Sequence, residues 1–174
     1  MAAAATLFGL GAVFLPAALR ELPKPLSEYK AALYLGTETL LLCALLWAGA
    51  AYSGADWFPL PALPGVLFGL ALPWACLLII RYTPLSPWWK GAACLGASCV
   101  FLPLVNPVLD RLVLLGGGTV ERLHSFWFRP DFTRWTEDWY FNENVLLLLW
   151  LALAAAAIFC ALRALLCRRD AARA

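Results

Sequence analysis

Five long apolar runs alternate with short polar connectors along this chain, and that alternation predicts its architecture. The runs cover residues 1–19, 31–52, 58–80, 91–115 and 145–167. Four of them reach or exceed the roughly 20 residues that a helix needs to cross a hydrocarbon core of about 30 Å. The expectation is an all-α polytopic integral membrane protein with five transmembrane helices, forming a single membrane domain over 1–174. The run at 1–19 lacks a basic leading region, and its Leu-Pro-Ala-Ala-Leu at 15–19 is a poor cleavage site. It therefore reads as a span and not as a cleaved signal.

Proline and glycine punctuate the runs. Pro23 and Pro25 favour an extended first connector. Pro59, Pro61 and Pro64 crowd the start of the third run, so its regular helix is expected only from about Pro64. Pro73 should kink that helix, and Pro103 with Asn106-Pro107 should bend or break the next one. Gly116 to Gly118 should end it. Gly65 and Gly69 form a GxxxG pair, and Gly91 and Gly96 lie on another small-residue surface. Both faces suit close packing, within the chain or against a protein partner or second copy.

Between the fourth and fifth runs the pattern changes. Residues 119–144 hold eight aromatic side chains, eight charges and His124, the only histidine. Phe128, Phe132, Trp135 and Trp139 recur at i, i+4, i+7 and i+11, which places them on one stripe of a helix. Pro130-Asp131 suits a first turn. The expectation is a short amphipathic helix of about ten residues lying in the membrane interface, aromatic side down.

Charge then orients the chain. Arg20, Lys24, Lys30, Arg81, Lys90, Arg168, Arg169 and Arg173 fall on one side of a five-span scheme. The other side carries Arg122, Arg129 and Arg134 against Glu121, Asp131, Glu137, Asp138 and Glu143. The basic side is expected in the cytoplasm with the C-terminus, the N-terminus and the aromatic segment 119–144 outside, and the plasma membrane as location.

Composition adds little beyond this: 63% of the residues are hydrophobic and 14% charged, far from the roughly 25% charged of a soluble domain. The six cysteines form no CxxC and read as small buried hydrophobes. In size, span number and tryptophan content the chain resembles the tryptophan-rich sensory (translocator) proteins. That likeness is one of size and composition; Leu72-Pro-Trp-Ala75 does not align with that family's tryptophan–proline motifs.

Few residues are candidates for chemistry. Glu38, seven positions into the second run, is a costly place for an acid and calls for a partner or a polar site. Arg163, in the same half of the last run, is the geometrically permitted partner. Asp110, Arg111, Glu121 and His124 are the residues a membrane enzyme would use at the outer interface, and a solvated interfacial histidine is the plainer reading of His124. The aromatic stripe Phe128, Phe132, Trp135 and Trp139 reads as an anchor or as a binding surface. A lone histidine with no cysteine beside it makes no zinc site, and a di-iron bundle needs Glu-x-x-His twice plus two further inward glutamates where this chain has one Glu121-x-x-His124, so no metal or cofactor is expected. GxSxG, HExxH, P-loop and GxGxxG are all missing. The sequence thus leans towards a non-enzymatic transporter-like unit or accessory subunit of a membrane complex, its contacts being lipids or protein and not nucleic acid. A membrane enzyme acting on a lipid or isoprenoid-linked substrate is the alternative, and a structural or assembly partner the third reading.

Overall fold

The computed structural model describes residue 9, residues 29–54 and residues 57–171. Within them the chain is helical, with no strand. Four helices are long and apolar enough to cross a membrane. They are α1 (Lys30–Ser53), α2 (Leu63–Tyr82), α3 (Pro87–Leu115) and α4 (Asp138–Ala171), with a kinked turn at Phe58–Ala62, extended at Leu60, leading into α2. The expected span at 1–19 lies outside the described residues.

Helix ends follow the punctuation. Gly54, at φ 64°, closes α1 by donating its amide to Ala50 O. The prolines at 59 and 61 delay the regular start of α2 to Leu63. At its other end, Thr83 Oγ1 donates to Ile79 O and Lys90 Nζ donates to Ile80 O at 2.6 Å, so two terminal carbonyls are satisfied. Gly117, at φ 78°, stops α3 after Leu115.

Two expected features, a break in α3 and an interfacial helix, are missing here. The prolines of α3 do not break it: the helix is continuous for 29 residues through Pro103 and Pro107. Pro103 cannot donate to Cys99 O one turn earlier, but the indole of Trp150 on α4 donates to that carbonyl at 2.9 Å. A neighbouring helix supplies the missing bond, which is how an interior proline becomes tolerable in an apolar setting. The interfacial helix over Pro130–Trp139 does not form either. Residues 119–137 are turns and irregular backbone, and α4 begins at Asp138, seven residues before the expected start of the last run.

The chain divides into two compact units. The first holds α1, α2 up to Trp74, and Leu112–Gly118. In it, a Cβ placed on Gly36 would meet the Trp74 ring at 3.9 Å, and one placed on Gly65 would meet Leu112 Cδ1 at 3.3 Å. The second holds the remainder of α2, α3 up to Arg111, the connector and α4. There a Cβ placed on Gly91 would meet Cys160 Sγ at 3.5 Å, and Trp88 meets Phe159 edge-on at 6.2 Å. Gly65 and Gly91 are thus used within the chain, whereas the Cβ positions of Gly69 and Gly96 face open space.

Burial is inverted relative to a water-soluble protein. Among the described residues the polar and charged side chains buried are Asp110, Glu143 and Asn144, while leucines and isoleucines along every helix are exposed. Apolar surface on that scale is stable only against lipid or another protein.

Candidate functional site

The three buried polar side chains converge on one task. Each stands near an end of α3 or α4, and each accepts a backbone amide of the connector. Asp110 Oδ2 accepts the His124 amide, Glu143 Oε2 accepts that of Arg129 at 2.9 Å, and Asn144 Oδ1 accepts that of Asp131 at 2.9 Å. Asn144 Nδ2 also donates to Asp131 O at 2.9 Å, so its amide is satisfied on both sides although no part of the residue is exposed. These bonds give an irregular segment the partners it lacks by having no helix of its own.

They also explain why the aromatic stripe fails to become a helix. With Asp131 N–H and C=O held by Asn144, its carboxylate turns the chain locally, accepting the Thr133 amide at 3.0 Å and hydroxyl at 2.6 Å. Those bonds, and secondarily Arg134 at 3.4 Å, hold the Asp131 carboxyl below the usual carboxylate range. The four rings then part company. Phe128 packs near Trp150 at 6.4 Å, Phe132 near Trp135 at 5.9 Å, and Trp139 lies under His124.

His124 is the centre of the arrangement, and it is not a solvated side chain. Its ring stacks on Trp139 with centroids 3.9 Å apart and planes 16° apart, and the side chain is 15% exposed. Nδ1 lies 3.0 and 3.1 Å from the two oxygens of Asp110. An ionised Asp110 only accepts, so Nδ1 carries the proton and Nε2 is left as the second ring nitrogen to act. Nε2 stands 3.9 Å from Glu143 Oε1, beyond hydrogen-bond distance. In the neutral ring both of those atoms are acceptors, so the gap favours a group with a proton to share.

Beside this pair lies a hollow of about 360 Å³ lined by Arg122, Leu123, Ser125, Arg129, Trp139, Tyr140 and Glu143. Among the described residues neither Arg122 nor Arg129 makes an ion pair, in contrast to Arg134, which lies near Asp131 and Glu137. The Ser125 hydroxyl donates to Trp127 O at 2.7 Å. A second cavity, of about 370 Å³, is lined almost wholly by apolar groups: Cys99, Pro103, Phe126, Trp127, Phe128, Leu147 and Trp150.

The remaining expected site residues take no part in these hydrogen bonds and ring contacts. Glu121 and Arg111 are exposed. Arg163 places its guanidinium over the Trp88 ring at 5.6 Å, in the second unit. Glu38 belongs to the first, where its Oε1 is screened from solvent without a hydrogen-bond partner. Among the described residues no cluster of three or more His, Cys, Asp or Glu is placed to hold a metal. Glu143, Asn144, Tyr140, Trp150 and the pair Arg122 and Arg129 are the residues that reading the sequence overlooked. Tyr140, Glu143, Leu147 and Trp150 do carry a helical signature, at i, i+3, i+7 and i+10, which becomes visible once α4 is extended back to Asp138.

Compared with known family models, with characterised proteins and with solved structures, the chain matches none.

Proposed function

We propose that this chain is a small multi-pass membrane protein that binds an anionic polar group at the extracytoplasmic membrane interface. It would act as a transporter-like unit or as an accessory subunit of a membrane complex. The observation that carries the reading is the hollow beside His124, where Arg122 and Arg129 offer guanidinium groups not engaged in ion pairs. Guanidinium groups match phosphate and carboxylate oxygens in planar, two-pronged geometry, and a partly enclosed site strengthens the attraction. Trp139 and Tyr140 supply the rigid wall. Sidedness rests on the basic residues Lys30, Arg81, Lys90, Arg168 and Arg169, which sit at the opposite helix ends from this segment in an alternating four-helix scheme.

The test is calorimetric titration of the purified protein in detergent with glycerol phosphate. Arg122→Gln and Arg129→Gln should each weaken binding by about tenfold, the usual scale for losing one charge-assisted contact. Identical titrations for the wild type and both variants would remove the basis for the proposal.

The alternative, a membrane enzyme, draws on one specific feature, the orientation of His124 by Asp110. With Nδ1 held, Nε2 is in position to take a proton from water as that water's oxygen attacks a phosphoester. The P–O ester bond then breaks, and the proton returns to the departing alcohol. Ser125, already bonded to Trp127 O, supports no nucleophilic role. Incubation with an anionic phospholipid and mass spectrometry of the products decides it: no product from the wild type eliminates the enzyme, and a product that persists in His124→Gln eliminates this mechanism.

A further inference from the structure

We infer that the ligand of this site is an amphiphile, an anionic lipid whose phosphate occupies the polar hollow and whose hydrocarbon chain occupies the apolar cavity. The inference rests on the anion-binding reading above and names the class of ligand for that site.

Three observations support it. The first is helical register. Tyr140 and Glu143 line the polar hollow, and Leu147 and Trp150 line the apolar cavity. At 100° per residue these four side chains fall within about an 80° arc of α4, spread over about 15 Å of its axis. The two cavities therefore succeed one another along a single face of one helix, polar nearer its start and apolar deeper. That is the order of headgroup and chain in a lipid leaflet.

The second is their common wall. The connector lines the hollow with Arg122, Leu123, Ser125 and Arg129, and lines the apolar cavity with Phe126, Trp127 and Phe128. One continuous stretch of backbone thus serves both, giving Arg122, Ser125 and Arg129 with Leu123 to one and three rings to the other. It is tied at either end by Asp110 to His124 and by Glu143 to Arg129. Trp127, 83% exposed, stands at the rim with Phe126.

The third is how the apolar cavity is made. The bond from Trp150 Nε1 to Cys99 O satisfies the carbonyl that Pro103 leaves without an amide partner. Cys99, Pro103 and Trp150 all line the cavity, so the polar atoms at this proline are already matched and a hydrocarbon meets no unsatisfied group there. The volume lies within the range of about 300–1,000 Å³ common for small-ligand pockets. A chain held there would exchange the mobile lipid environment for fixed aromatic walls, with the phosphate fixing its position.

Native mass spectrometry of the full chain in detergent tests this with three probes: phosphatidylglycerol, phosphatidylcholine and glycerol phosphate. Expected are preferential retention of phosphatidylglycerol over phosphatidylcholine and weaker binding of glycerol phosphate, which lacks the chain. Cys99→Phe and Leu147→Phe, which fill the apolar cavity, should each weaken phosphatidylglycerol by about tenfold and leave glycerol phosphate unchanged. Unchanged glycerol phosphate binding also shows that the variant is folded. The inference is overturned if glycerol phosphate binds as well as phosphatidylglycerol and the cavity-filling variants bind the lipid normally; the anion site itself would then stand. If instead phosphatidylglycerol and phosphatidylcholine bind alike, glycerol phosphate does not bind, and Arg122→Gln and Arg129→Gln change nothing, the anion site fails and the inference with it.

Discussion

Asn144 shows how much one side chain does here. It is fully enclosed, and its amide meets both the N–H and the C=O of Asp131 at 2.9 Å. Asn144→Ala removes both bonds and leaves the Asp131 backbone to find water or remain unmatched. A loss of about 2 kcal/mol is expected, read as a lower midpoint in thermal denaturation of the detergent-solubilised protein. Asp131 itself offers a proton-linked measurement. Its carboxyl is held below the ordinary carboxylate range, chiefly by the Thr133 hydroxyl and amide. Because the folded value is the lower one, the stabilisation is present above the ordinary range and disappears as pH falls through the depressed value. Thr133→Val should move the Asp131 titration, followed by carboxyl carbon NMR, back up towards the ordinary value. Neither Asn144 nor this turn was legible from residue order. An asparagine just ahead of an apolar run looks like an ordinary polar flank, and its partner lies 13 residues away.

At the scale of elements, α3 and α4 are coupled through a proline. Trp150→Phe keeps the ring but removes the donor to Cys99 O, and should destabilise by about 1–2 kcal/mol. In a Pro103→Ala background the new amide at 103 can take the same carbonyl, so the further change at Trp150 should cost markedly less. Equal costs in the two backgrounds, measured as a double-mutant cycle, would refute the compensation. The long apolar runs, the late start of α2 and the glycine stop after Leu115 were all readable, because each depends on neighbours within a turn or two. The aromatic stripe misled. Phe128, Phe132, Trp135 and Trp139 have helical spacing, but spacing only permits a helix. Asn144 holds the Asp131 backbone and the Asp131 carboxylate bends the chain, so a turn won over weak local propensity.

For the whole molecule, the testable quantity is sidedness. Thr136 is exposed in the connector, and a Thr136→Cys variant in a cysteine-free background should react with a membrane-impermeant thiol reagent only from outside the cell. Labelling from the cytoplasm alone would reverse the orientation and move the proposed lipid site to the inner leaflet. Four helices suited to a membrane followed directly from the sequence, since the length of an apolar run and the thickness of a bilayer are both one-dimensional quantities. His124 and Asp110 were singled out as polar residues at the expected outer interface. What only the tertiary structure decided is that they meet, that Glu143 faces the other ring nitrogen, and that Tyr140 and Glu143 line a polar hollow while Leu147 and Trp150 line an apolar one. The physical reason is separation along the chain. Asp110 and His124 are 14 residues apart, and Cys99 and Trp150 are 51 apart. Hydrophobic pattern sets which segments become helices, but the pairing of polar groups across such distances is settled by which backbone donors and acceptors the packed helices leave unmatched.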